Sequence, residues 1–198
     1  MKKTSLTFIL FCIISFTGFA QFEKGTTQIG ASALPVFDIL KIAPDNSISG
    51  LGGKANLSFF PVKNLSVGLS PFAAEVKNNY TYTTSFSSLK KEERIRLFGL
   101  GMCLRYYVLL SKKFAIYPEL DLGLGNLNTR TSTEGHSKIK ERNTSIVVGS
   151  LGVGANYFLT EKVALELNVT YLDVNEFSNR DENFKTIAPT IGVQFFFH

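Results

Sequence analysis

The chain has 198 residues, 44% of them hydrophobic and 13% aromatic, with two cysteines, no tryptophan and a formal net charge of +5. That length suits a single domain, and so mild a charge excess excludes a nucleic-acid module, which would concentrate it in a basic patch. No stretch beyond the N-terminal leader approaches the ~18 apolar residues of a membrane helix, so any membrane crossing must be made by strands.

The leader comes first. Lys2 and Lys3 precede a nearly unbroken apolar run from Leu6 to Phe19, closed by Gly18-Phe19-Ala20. A positive start, an apolar centre and a small-any-small ending define a secretory signal peptide, expected over residues 1–20 with cleavage after Ala20. The mature domain then spans 21–198. Two of the 21 Lys and Arg leave with the leader, so the mature chain exceeds its 16 Asp and Glu by three. Cys12 leaves too, and Cys103 alone can form no internal disulfide. No small residues precede Cys12, so lipid attachment there is not expected.

Period-two alternation, the mark of a strand with unlike faces, organises the rest. A first, weakly patterned strand is expected near Thr26 to Leu34. Ala55, Leu57 and Phe59 then oppose Lys54, Asn56 and Ser58, and Leu65, Val67 and Leu69 oppose Ser66, Gly68 and Ser70. Next, Phe98, Leu100, Met102, Leu104 and Tyr106 oppose Gly99, Gly101, Cys103, Arg105 and Tyr107. Phe114, Ile116, Leu120, Leu122 and Leu124 oppose Ala115, Tyr117, Glu119, Asp121 and Gly123. Leu151, Val153, Ala155 and Tyr157 oppose Ser150, Gly152, Gly154 and Asn156. Residues 163–171 alternate without a break, and a final strand over 186–197 carries Ile187, Ile191, Val193, Phe195 and Phe197 on its apolar face. Eight strands result.

A short polar phrase recurs between them. Lys63, Lys112 and Lys162 lie about 50 residues apart, a spacing that signals a repeated supersecondary unit. Paired hairpin residues share a face, which pairs Pro61 with Leu65, Leu110 with Phe114 and Leu159 with Val163 around three-residue loops. Such loops favour one left-handed residue; Asn64 suits that conformation, Lys113 and Lys162 less so. The other connections, near 35–49, 77–93, 128–142 and 175–184, are long and rich in Thr, Ser, Asn and charge. Short turns at one end and long loops at the other mark an outer-membrane barrel. Pro71, Pro118 and Pro189 fall inside strands, where a missing N–H requires a bulge or a ladder-free position.

The polar faces carry Gly, Ser, Asn, Ala and isolated charges, which suit the narrow lumen of an eight-stranded barrel better than a water-exposed surface. The apolar faces run nine to eleven residues, enough for a tilted strand to cross a bilayer. Aromatics beside the turns (Phe59, Tyr106, Phe114, Tyr157, Phe195, Phe197) form an interfacial girdle. The opposite arrangement, a soluble exported lipid-binding barrel of lipocalin type, is the alternative. Leader, eight strands, three short turns, four longer loops and an aromatic-alternating last strand together resemble the small outer-membrane β-barrel family of the OmpA and OmpX type, within the porin-like superfamily. The resemblance implies an all-β, eight-stranded antiparallel up-and-down transmembrane barrel in a Gram-negative-type outer membrane, with short turns in the periplasm and long loops outside. It also implies folding by the barrel-assembly machinery, whose terminal Phe signal is here displaced one residue inward by His198.

Candidate chemistry is sparse. Lys54, Arg105, Glu119, Asp121 and Glu166 share the lumen face, and the hairpin parity sets Arg105 opposite Glu119, an attractive cross-strand pair. Lys54 and Glu166 lie at similar depth on nearby strands and can reach across. The expected role is a structural ion-pair network; an ion path gated by exchange of partners is the sharper alternative. His136 has no carboxylate on a rigid strand to orient it, so no catalytic residue is assigned. Two distant histidines and one cysteine make no metal site, and no cofactor is expected. The glycines of 149–154 lack the Lys and following helix of a phosphate loop. Tyr80, Tyr82 and Phe86, in a segment able to extend as strands, and the basic Arg130, Lys138 and Lys140 are candidate loop contacts for an outside partner or anionic outer-leaflet lipid. The expected protein is a monomer in outer-membrane lipid, structural or surface-interacting and without catalysis, with a narrow porin-like channel as its alternative.

Overall fold

The computed structural model describes residues 22–36, 46–84, 87–133, 140–176 and 183–197. The expected signal peptide, Phe86, His136, Lys138 and His198 lie outside the described residues. Nine ladder segments follow in order: β1 (Thr27–Val36), β2 (Asn46–Val62), β3 (Leu65–Thr84), β4 (Ser87–Tyr106), β5 (Val108–Ser111), β6 (Phe114–Thr133), β7 (Lys140–Phe158), β8 (Val163–Glu176) and β9 (Asn183–Phe197). β4 and β5 form one stave interrupted at Tyr107, so the barrel has eight staves. Every pairing is antiparallel, β1 closes on β9, and β6 pairs with β4 before the break and with β5 after it. Closure removes every sheet edge, which lipid cannot satisfy with hydrogen bonds.

Period-two alternation resolves into inside and outside. Ile187 is 68% exposed, Val153 66% and Leu151 62%, while Asn156, Asn168, Gln194 and Glu166 are buried. An apolar belt of that extent on a soluble protein would aggregate, so the soluble-barrel alternative is excluded. The girdle residues Phe59, Tyr106, Phe114, Tyr157, Phe195 and Phe197 all face outward.

The hairpin registers follow the side-chain parity: Phe59 pairs with Val67, Leu109 with Ala115 and Phe158 with Ala164. At the tips, Val62 pairs with Leu65 and Ser111 with Phe114, each after a one-residue register shift. Asn64 takes the left-handed conformation with φ 67°, whereas neither Lys113 nor Lys162 has positive φ. In the third turn Thr160 Oγ1 accepts from the N–H groups of Lys162 and Val163 instead.

The three prolines sit where no ladder bond is needed. Pro71 falls in the gap of the β2–β3 ladder between Lys54↔Phe72 and Leu57↔Leu69. Pro118 lies beside the interruption at Tyr107, and Pro189 lies beyond Ala33↔Ile191, where the β1–β9 ladder ends. Register is continuous through all three, so ladder-free positions rather than bulges accommodate them.

The long connections need correction. β3 and β4 stay paired out to Thr84↔Ser87, β6 and β7 to Thr131↔Lys140, and β8 and β9 to Asn175↔Asn183. Much of 77–93, 128–142 and 175–184 is therefore strand. Twenty-residue β3, β4 and β6 are about twice the nine to eleven needed to span a bilayer. Thr and Tyr favour extended backbone, and cross-strand charges such as Arg96 with Glu75 at 2.9 Å hold the extension together outside the membrane.

Candidate functional site: a three-layered lumen

The lumen is built in three layers. At its floor, on the side of the short turns, Phe22, Phe60, Tyr107, Tyr117, Phe158 and Phe196 pack with Ala115 and Ala164. Each of β2, β7 and β9 carries an aromatic doublet or triplet near its end, and so does the stave broken at Tyr107: Phe59-Phe60, Tyr106-Tyr107, Tyr157-Phe158, Phe195-Phe196. Alternation sends one ring to the girdle and its neighbour into the lumen. Phe22, from the segment before β1, fills the centre. Its ring lies 4.3 Å from Tyr107 and 5.6 Å from both Phe60 and Phe196, centroid to centroid. Its carbonyl accepts from the Asn64 N–H at 2.9 Å, pinning the segment to the first turn. Tyr117 fits against β7 because Gly154 has no side chain to meet its ring. Composition alone points to small residues at this level; the recurrent doublets are the signal that it is filled by rings.

Charge occupies the middle. Arg105 donates from Nε to Glu119 Oε2 at 2.5 Å and from Nη1 to Glu166 Oε2 at 2.9 Å, and none of these three side chains is exposed. Lys54 Nζ meets Glu119 Oε1 and, at 2.9 Å, Asp121 Oδ2. Asn168 donates to Glu119 at 2.9 Å and Gln194 to Glu166 at 2.6 Å. Gln28 links Gln194 to the Tyr107 hydroxyl, and the Arg105 guanidinium lies 4.9 Å above the Tyr117 ring. All five charged residues expected in the lumen are therefore brought together. Lys54 does not reach Glu166 directly: the two are joined through Glu119 and Arg105.

The third layer lies outward of the charges. A cavity of about 120 Å³ touches all eight staves; its walls include Leu34, Phe72, Leu97, Val148, Leu172, Val174 and Ala188, and its floor Lys54, Asp121, Ser70 and Ser150. Gly52, Gly101 and Gly123 thin the wall around it. Period-two alternation gives no sign of apolar residues on the lumen side here.

Among the described residues, Cys103, Glu119 and Asp121 bring one ligand atom each within 4.8 Å of one another. Both carboxylates are already committed to Lys54 and Arg105, so the group carries no metal assignment. Of the loop candidates, Arg130 is exposed and pairs with Glu141 at 3.5 Å. Tyr80, Tyr82 and Lys140 lie on strand backbone, opposite Lys91, Leu89 and Thr131.

Closed antiparallel staves, an apolar outer belt and a lumen crossed by buried charges define a transmembrane β-barrel. The outer membrane protein beta-barrel domain family matches residues 9–197, and the chain belongs to that family. It is an outer-membrane protein, its belt in contact with lipid. Similar solved structures include Ail of Yersinia pestis (12% identity, TM-score 0.46, covering 88% of this chain and 99% of that one). OprG of Pseudomonas aeruginosa is 18% identical, with TM-score 0.45 and coverage of 90% and 99%. A major outer membrane protein of Thermus thermophilus is 12% identical, with TM-score 0.49 and coverage of 86% and 99%. No curated protein matches the sequence.

Proposed function

We propose that the protein is a non-catalytic barrel with a structural or surface-interaction role, presenting its strand extensions and the connections between them to the exterior. The observation that carries this reading is the double seal across the lumen: Arg105, Glu119, Glu166 and Lys54 span it above a floor of six packed rings. A side-chain-filled lumen is what eight staves favour, and buried, mutually paired charges fix register and resist removal. Its carboxylates are engaged by cations and amides, which argues against their use as a general acid or base. The five-residue network is a structural element in this reading, not an ion path. Residues 1–20 are a cleaved signal peptide, the barrel-assembly machinery folds the domain, and closure without a free edge favours a monomer.

Planar-bilayer recording of the refolded mature protein tests the seal. No discrete conductance steps are expected; regular steps would establish the channel alternative. Capture of an outside partner by intact cells bearing the protein, lost when the β3–β4 extension is shortened, tests the surface role. Mass measurement of the protein from outer membranes is expected to show a chain beginning at Gln21.

A further inference from the structure

We propose that the outer half of the lumen is a binding cup for a small organic cation: a primary amine carried on a compact apolar body about the size of a benzene ring. Space, walls and floor each contribute. The cavity of about 120 Å³ is somewhat smaller than the ~150 Å³ apolar cavity that admits benzene. It lies on the barrel axis, because residues of every stave line it, and it ends blind on the charged layer, as a binding site does and a conduit does not. Its walls are apolar at Phe72, Leu97, Val148, Leu172 and Val174, a second buried cluster separate from the aromatic floor.

The charge at the bottom sets the sign of the ligand. Two cations, Lys54 and Arg105, face three carboxylates, Glu119, Asp121 and Glu166, which leaves one negative charge over. Glu119 and Glu166 are sealed away with no side-chain exposure, whereas Asp121 retains 13% and lines the cup. Asp121 Oδ2 accepts from Lys54 and Ser150, and Oδ1 accepts at a longer 3.4 Å from Ser70. Thr190 Oγ1, also on the lining, is buried and has no hydrogen-bond partner among the described residues. An ammonium group donating to Asp121 would offset the surplus charge while its apolar body occupies the walls. Lys54 beside Asp121 disfavours a divalent metal and admits a single positive charge at most.

The test uses the full-length mature barrel in zwitterionic-lipid nanodiscs, titrated with benzylammonium by calorimetry, with benzyl alcohol and benzoate as neutral and anionic counterparts and empty nanodiscs as the partitioning control. Saturable one-to-one binding of benzylammonium is expected, with benzyl alcohol at least about tenfold weaker, because its hydroxyl is a neutral donor and leaves the carboxylate charge unmatched. Ala188→Leu, which fills the cup, is expected to abolish binding while leaving the heat-modifiable mobility of the folded barrel unchanged. Asp121→Asn is expected to remove the preference for the amine over the alcohol. Absence of saturable amine binding, equal binding by the Ala188→Leu barrel, or tighter binding of benzoate would each overturn the proposal. Should Asp121→Asn fail to fold, the three-ligand comparison on the unmodified barrel decides the sign of charge.

Discussion

The two ends of the lumen obey the same alternation and reach opposite outcomes. At the floor six rings and two alanines fill the bore with centroid separations from 4.3 Å. Toward the exterior, residues of the same inward parity leave about 120 Å³ unfilled. The difference lies in side-chain size: large rings arrive at the floor from several staves at one height, while Gly52, Gly101, Gly123, Ala74 and Ala188 arrive at the cup. Inward parity therefore decides access to the bore, and volume decides whether the bore is core or cavity.

Four substitutions test that contrast. The largest effect is expected between the two levels, at Arg105→Ala. It leaves Glu119 and Glu166 buried without their cation, and losing one partner of a buried pair costs about 3–5 kcal/mol. Urea unfolding in detergent reads it; an unchanged midpoint would remove the network from the account of stability. Phe22→Ala comes next, at about 3 kcal/mol for loss of a fully buried ring. Urea unfolding reads this loss as well, which a merely adherent N-terminal segment would not produce.

Adding volume sharpens the comparison further. Gly154→Ala drives a methyl into the Tyr117 ring at the floor and is expected to cost about 1–3 kcal/mol as overpacking. Ala188→Leu adds more atoms at the cup and should shift the urea midpoint less than Gly154→Ala does, because the cavity receives them. Equal losses at both sites would erase the distinction between the levels.

The smallest effect belongs to the extension outside the membrane. The Arg96 hydrogen bond holds the Glu75 carboxyl below its ordinary range. A depressed carboxylate contributes stability above its unfolded pKa and loses it as pH falls through the folded value. Arg96→Ala should therefore raise the Glu75 titration midpoint seen by carbon-detected NMR, with little change in the unfolding midpoint at pH 7, since exposed pairs contribute little.

Much of the barrel was legible because alternation, turn spacing and parity are local. Parity set Leu57 against Leu69 and Arg105 against Glu119, and the pairing follows both. Pro71, Pro118 and Pro189 signalled missing ladder bonds, yet only the assembled staves show which neighbour spares each one. The strand extensions were harder to read, because Ser, Thr and Asn suit loops as well as strands, and pairing such as Lys77↔Arg94 is a property of two segments together. The floor was hidden by its own girdle: a doublet such as Tyr157-Phe158 reads as interfacial until the inward ring meets others from distant staves.

The sequence by itself determined the number of staves, the registers of the three short-turn hairpins and the face that meets lipid, since each depends on neighbours two residues apart or across one short turn. Only the tertiary structure decided what fills the bore. The Lys54 partners, the position of Phe22 and the volume of the cup depend on which side chains from eight staves arrive at one height, and strand tilt and closure set those heights.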